Sequence, residues 1–164
     1  MSDKIDPIVT LYPLKRFEES NSNLHKEYLE YLRQTRNSSK EFMTRCQDII
    51  TPEMQEKWYN NLPNNISPYI FTISEMGVIF YSCGYGIITM EDDVAMLTGV
   101  IGELNRGKGF GKQLFLDLIE EAKKKTNKIQ LEVLETNLRA INLYKSLGFV
   151  EISKTDKVIT MKLT

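Results

Sequence analysis

The sequence predicts an α/β protein, helices packed around a mixed, largely antiparallel central sheet in the element order βααβββαβαββ. Three observations carry this. Short β-rich runs with brief connections fill the middle of the chain, helical-period runs flank them, and a glycine-rich turn joins a strand to a helix near residue 107. At 164 residues and 41% hydrophobic content, the chain suffices for one full core and falls short of two, so 1–164 is expected to be a single domain.

Ile8 to Leu14 reads as the first strand. From Asn23 to Arg36 the apolar residues Leu24, Tyr28, Tyr31 and Leu32 recur at helical spacing, after cap candidates at Ser20 to Ser22. Thr51-Pro52 marks a second helix start running to about Asn60, because Thr51 can cap and Pro52 suits the first helical position. Turn formers crowd Leu62 to Pro68, and strands follow at Tyr69–Ser74, Val78–Thr89 and Val94–Ile101. Their connections, Glu75-Met76-Gly77 and Met90 to Asp93, are short enough for hairpins. Phe110 to Lys125 presents one apolar helical face, Ile129–Leu134 is a strand and Asn137–Leu147 a helix. Phe149–Ser153 and Lys157–Leu163 close the sheet.

Composition removes several functions. Twenty-one Lys+Arg against 22 Asp+Glu leave no global field to draw the protein to nucleic acid or to an anionic membrane. The opening residues Met1 to Phe17 lack the apolar stretch of a signal peptide, and no segment is long enough to span a bilayer, so a cytoplasmic location is expected. Cys46 and Cys83 have no CxxC spacing and no neighbouring histidine, so they read as reduced thiols and no metal is expected. Cys83, inside an apolar run, reads as a small buried hydrophobe rather than a nucleophile. The lone histidine, His25, is expected on the surface, with no partner for a catalytic triad.

The chemistry concentrates between Val100 and Lys112, where a strand ends and a helix begins across Gly107, Gly109 and Gly111. Backbone N–H groups at a helix start are unpaired and carry the positive end of the helix dipole, which suits a phosphate. Glycines allow close approach, and Arg106, Lys108 and Lys112 add charge. A tight turn with solvated basic residues would look the same by spacing. A P-loop is excluded because Lys112 is followed by Gln113, with no hydroxyl for magnesium, and the strict alternation of glycines does not fit G-x-G-x-x-G.

Arg106-Gly107-Lys108-Gly109-Phe110-Gly111 resembles the R-x-x-G-x-G/A coenzyme A signature of the GNAT acetyltransferase superfamily. A second block, Leu131-Glu132-Val133 with Asn137, Ala140, Leu143-Tyr144 and Gly148-Phe149, is similar to that family's L-E-V…N…A…L-Y…G-F block. Together they span about Leu97 to Val150. The resemblance implies a GNAT-type sheet and acetyl-CoA as cosubstrate. It implies that the strand backbone from about Val100 to Glu103 pairs with the pantetheine, that a main-chain N–H near Ile101 holds the thioester carbonyl, and that Gly107–Lys112 cradles the pyrophosphate. By the same resemblance Asn137 helps hold the pantetheine and Tyr144 protonates the departing thiolate. One departure stands out: family members often carry proline three residues before the arginine, where this chain has Glu103.

Aminolysis needs a base, because about one alkyl amine in a thousand is neutral at pH 7. In similar ribosomal-protein alanine acetyltransferases a glutamate at the place of Glu132 serves, directly or through water; Glu103 is the reserve. Both Glu132 and Tyr144 also have plain structural readings, as a sheet-centre residue and a core aromatic. Acceptor choice is assigned to Ser20–Pro68, where Arg33, Arg36 and Trp58 belong to a loose resemblance to the branch of ribosomal-protein and amino-sugar-nucleotide acetyltransferases. Trp58 and Tyr59 are candidates to line the acceptor pocket. The expected activity is acetyl transfer to a primary amine by direct attack, the acceptor being an amino sugar nucleotide or a protein N-terminus, with aminoglycosides and polyamines left open, and with a non-catalytic coenzyme-A-binding module as the alternative. Expected partners are that small-molecule amine or protein N-terminus, with a homodimer as candidate assembly and no nucleic acid or membrane.

Overall fold

The computed structural model describes residues 7–75 and 78–164, so the expected connection at 76–77 and the first six residues lie outside the described part. Seven strands form one sheet: β1 (Ile8–Pro13), β2 (Ile66–Glu75), β3 (Val78–Glu91), β4 (Val94–Ile101), β5 (Ile129–Leu134), β6 (Phe149–Thr155) and β7 (Val158–Leu163), in the spatial order β1-β2-β3-β4-β5-β7-β6. Every neighbouring pair is antiparallel except β4 and β5. The mixed, largely antiparallel sheet therefore stands as expected.

Between β1 and β2 the chain makes three α-helices rather than two, α1 (Arg16–Ser20), α2 (Ser22–Ser38) and α3 (Pro52–Asn60), with a 3₁₀ turn (Lys40–Phe42) after α2. The short α1 has no periodic signature of its own. It exists because Phe17 is buried and packs edge-on against Tyr12 and Tyr28, at 5.9 and 5.0 Å between ring centres. Asn21, inside the expected cap region, caps α2 by accepting from the Leu24 N–H at 3.1 Å. Thr51 caps α3 in the same way through the Met54 N–H, with Pro52 at the first helical position.

The helices α4 (Phe110–Lys123) and α5 (Leu138–Ser146) follow β4 and β5. Leu114, Phe115, Leu118 and Ile119 of α4 bury against Leu97, Ile129 and Leu131, which form the main core. A second, smaller core of Leu14, Phe17, Tyr28, Leu32, Ile70 and Tyr85 lies under α1 and α2. A Cβ on Gly86 would lie 2.7 Å from Leu118, and one on its cross-strand partner Gly99 would lie 2.8 Å from Phe115. This glycine pair lets α4 settle directly on β3 and β4.

His25 corrects the sequence reading: it is buried, with its ring 4.8 Å from that of Tyr59. The apolar spacing of α2 omitted it, yet it lies one turn before Tyr28 and Leu29 and faces α3. Cys83 is fully buried, and burial pushes its thiol up to about 12, while Cys46 is exposed. Among the described residues no helix is long and apolar enough to cross a membrane.

Candidate active site

The parallel strands β4 and β5 pair only at Ala95–Leu97 with Ile129–Leu131, and then part. β4 continues along β3 as far as Ile101, opposite Gly84. The Ala95 N–H donates to the Lys128 carbonyl on the β5 side at 2.8 Å, whereas the Gly102 N–H donates to the Cys83 carbonyl on the β3 side at 2.9 Å. Strand alternation therefore aims the N–H groups of Gly99 and Ile101 into the opening between the parted strands. A short row of backbone donors faces a gap rather than a neighbour.

The chain leaves β4 through a 3₁₀ turn (Glu103–Asn105) and reaches α4 across the glycines. Gly107 and Gly109 have φ of 77° and 82°, the left-handed region where an L side chain is strained, and Gly109 is the N-cap of α4. The free N–H groups of the first turn of α4 thus emerge beside the same gap.

Gap and helix start form one cleft of about 980 Å³. Of the residues nominated from sequence, Val100, Ile101, Arg106, Gly107, Gly109, Phe110, Gly111 and Lys112 line one part of it, and Glu132, Asn137 and Tyr144 another. Glu103 and Lys108 do not line it: both are exposed, Glu103 on the 3₁₀ turn where the chain has already left the strand, and Lys108 between the two left-handed glycines. Trp58 lines the cleft as expected, but Tyr59 does not. Tyr59 turns its ring to His25 and donates its hydroxyl to the Glu18 carboxylate.

Three of the nominated side chains that line the cleft beside the glycine loop and β5 are held by protein partners. Arg106 folds back, donating from Nε to the Ile101 carbonyl at 3.2 Å and from Nη2 to Ser39 Oγ at 2.7 Å, and so ties the end of α2 to the end of β4. Asn137 caps α5, its Oδ1 accepting from the Ala140 N–H at 3.3 Å, so its NH₂ group is the part available to a ligand. Glu132 accepts from Arg45 at both oxygens, 3.1 Å from Nε and 3.2 Å from Nη2, and from Thr44 Oγ1 at 3.2 Å. Arg45 also reaches Glu91 at 3.2 Å. The Glu132 carboxylate raises the Arg45 guanidinium further above its ordinary value.

Tyr144 is buried, edge-on to Phe115 at 4.9 Å and to Phe149 at 6.1 Å. Burial alone pushes its phenol well above the ordinary value, so the hydroxyl keeps its proton at neutral pH.

Sequence reasoning found neither the loop that carries Thr44 and Arg45 nor Arg139, all of which line the cleft. The one hint for Arg139 was its place in the first turn of α5, beside the second block. Arg45 offered none, since an irregular loop has no period. Arg36, Arg45, Arg106, Lys112 and Arg139 give the cleft five cations against two carboxylates, Glu91 and Glu132. The excess is local, on a chain of formal net charge −1, and it suits a phosphate-bearing ligand.

The opened sheet and the glycine-rich helix start thus bring backbone donors and positive charge to one cleft. The chain belongs to the acetyltransferase (GNAT) family, whose model matches residues 29–149. A domain from Methanocaldococcus jannaschii has the same fold, with TM-score 0.76 at 20% identity over 96% of this chain and 100% of that one. A mutant spermidine N-acetyltransferase from Vibrio cholerae gives 0.73 at 17% identity over 94% and 92%. A ribosomal-protein-alanine N-acetyltransferase from Brucella melitensis gives 0.65 at 20% identity over 84% and 94%. At these identities the likeness is one of fold.

Proposed function

We propose that this chain is a single-domain N-acetyltransferase that moves the acetyl group of acetyl-CoA directly to a primary amine. The observation that carries the reading is the pair of N–H groups, of Gly99 and Ile101, that face the opening between the parted strands, continuous with the left-handed glycine loop at the start of α4. Parted strands would accept the pantetheine as an extra strand, and the glycine loop with Lys112 and Arg139 would take the pyrophosphate. The Ile101 N–H would bind the thioester oxygen as it gains charge.

In this reading the amine lone pair attacks the thioester carbonyl, the C–S bond breaks, and the thiolate takes the phenolic proton of Tyr144. The amine gives up its proton to Glu132 through a water, because both carboxylate oxygens already accept from Arg45. The acceptor classes put first from sequence are an amino sugar nucleotide and a protein N-terminus, with aminoglycosides and polyamines also open.

Thermal melting with acetyl-CoA against ATP-magnesium tests the proposal. A ligand binding only the native state stabilises it by about 2.7 kcal/mol at a hundredfold excess over Kd. Acetyl-CoA should raise Tm and ATP should not; equal shifts, or none, would refute the reading.

A further inference from the structure

We infer that the acceptor is an amine carried on an uncharged, apolar body, which is held in a side pocket between α2, α3 and β3. The inference rests on the acetyl-transfer reading and narrows its acceptor. The main cleft continues into a pocket of about 340 Å³, and Arg36, Trp58, Tyr85 and Ile87 line both. Its position follows from strand alternation: Gly86 faces α4, so Tyr85 and Ile87 on either side of it face α2.

The remaining wall is built from Leu32 on α2, Met54 and Gln55 on α3, and Ile50 on the loop between them. That loop residue is fastened. Asn37 donates to the Ile50 carbonyl at 2.8 Å and accepts from its N–H at 2.9 Å, while Arg33 donates to the same carbonyl at 3.0 Å. The pocket is a preformed one, with less to lose on ordering.

Six of its eight lining residues are aliphatic, thioether or aromatic, and no carboxylate lines it. Its one charge is Arg36, whose terminal nitrogens donate to the carbonyls of Asp48 and Cys46, the latter at 2.6 Å. A second ammonium on the acceptor would face that guanidinium without a counter-charge. In the main cleft the two carboxylates, Glu91 and Glu132, are both already bound by Arg45. With five cations against those two carboxylates, a polyamine meets net positive charge along this path, and the hydroxyls and phosphates of an amino sugar nucleotide would lose water against the apolar walls of the side pocket. An aromatic or branched apolar group loses no hydrogen bond there and gains contact with Trp58 and Tyr85.

Strand register connects the pocket to the chemistry. Tyr85 is paired with Val100 and Ile87 with Thr98, so an amine leaving the pocket mouth is one strand spacing from the segment of β4 that carries the Ile101 N–H. The shared chemistry is a primary amine a few bonds from an apolar group, free or as the first residue of a peptide.

The test measures thiol release from acetyl-CoA with 2-phenylethylamine, a tripeptide beginning with phenylalanine, glucosamine and spermidine. One of the first two should exceed both of the others in kcat/KM by about tenfold or more, and which of them leads tells a free amine from a peptide source. Met54 is half-exposed on α3, so Met54→Trp can fill the pocket without entering the core. It should raise KM for the preferred apolar amine by about tenfold or more relative to KM for ethylamine. Preference for spermidine or glucosamine, an unmoved KM ratio in Met54→Trp, or no turnover with any of the four amines while acetyl-CoA still raises Tm would each overturn the pocket assignment. A failure of acetyl-CoA to raise Tm would instead remove the acetyl-transfer reading beneath it.

Discussion

The two halves of the cleft are made in different ways. On the side proposed for the coenzyme the available groups are backbone N–H donors exposed by a parted strand pair and by glycines at positive φ. On the side proposed for the acceptor they are side chains, Arg36, Arg45 and Trp58, brought together by two helices and an irregular loop. A site made of main chain needs particular residues at fixed spacing, and a site made of side chains needs only a fold that gathers them. The first constrains sequence locally, and the second does not.

Substitution at Gly109 should break the coenzyme half most completely. Its φ of 82° strains any L side chain, although a Cβ there meets nothing within 4 Å. Gly109→Val should therefore distort the turn rather than clash, and should abolish acetyl-CoA stabilisation, about 2.7 kcal/mol at a hundredfold excess. A retained Tm shift would mean that the loop does not hold the pyrophosphate. Tyr144→Phe comes next: it keeps the packing on Phe115 and Phe149 while removing the proton donor, so turnover should fall about 10²- to 10⁴-fold with coenzyme affinity nearly kept. Unchanged turnover, with chemistry rate-limiting, would leave Tyr144 as a core residue only.

The same contrast decides what was legible in the sequence. The sheet, the helix caps at Asn21 and Thr51, and the glycine turn could be read because period, capping chemistry and φ requirements leave local marks. The nominated residues that line the cleft follow from that turn and from the second block. Glu103 was nominated through the family resemblance, as the end of the pantetheine-pairing strand and as the reserve base, yet a 3₁₀ turn carries it out of the cleft. Arg45 could not be read at all, since its importance comes from Glu132, 87 residues away. α1 was invisible because five residues make barely more than one turn and one buried phenylalanine holds them.

The Arg45 clamp gives a smaller effect that sharpens the boundary between the halves. Glu132→Gln should slow transfer most at low pH, with kcat/KM still climbing where the wild type flattens, because alkaline medium supplies the neutral amine. Arg45→Ala keeps the carboxylate and loses two exposed ion pairs, of which the one to Glu132 is worth about 1 kcal/mol or less, so kcat/KM should change by about fivefold at most. Parallel pH profiles for Glu132→Gln and wild type would assign Glu132 to holding the loop through Arg45 and not to proton transfer.

The smallest expected effect lies farthest from the chemistry, in the packing that supports the acceptor half. Burial lowers the affinity of His25 for a proton, and the nearby Glu18 carboxylate opposes that only in part. Among the described residues its Nε2 has no hydrogen-bond partner, so a proton gained there would be unsatisfied. The unfolded chain protonates this imidazole near its ordinary 6.5, the native chain only at lower pH. Between those values the unfolded state binds more protons, and stability must fall as pH drops below about 6.5. His25→Phe keeps an aromatic ring against Tyr59 and removes the titration. Its Tm loss between pH 7 and pH 5 should be smaller than that of the wild type by about 2–4 °C or less, as expected for about 1 kcal/mol in a domain of this size. The Glu18 carboxylate is common to both proteins, so it drops out of the comparison. Identical pH slopes would mean that His25 is solvated in the native protein and that α3 is held to α2 by the Tyr59–Glu18 hydrogen bond without it.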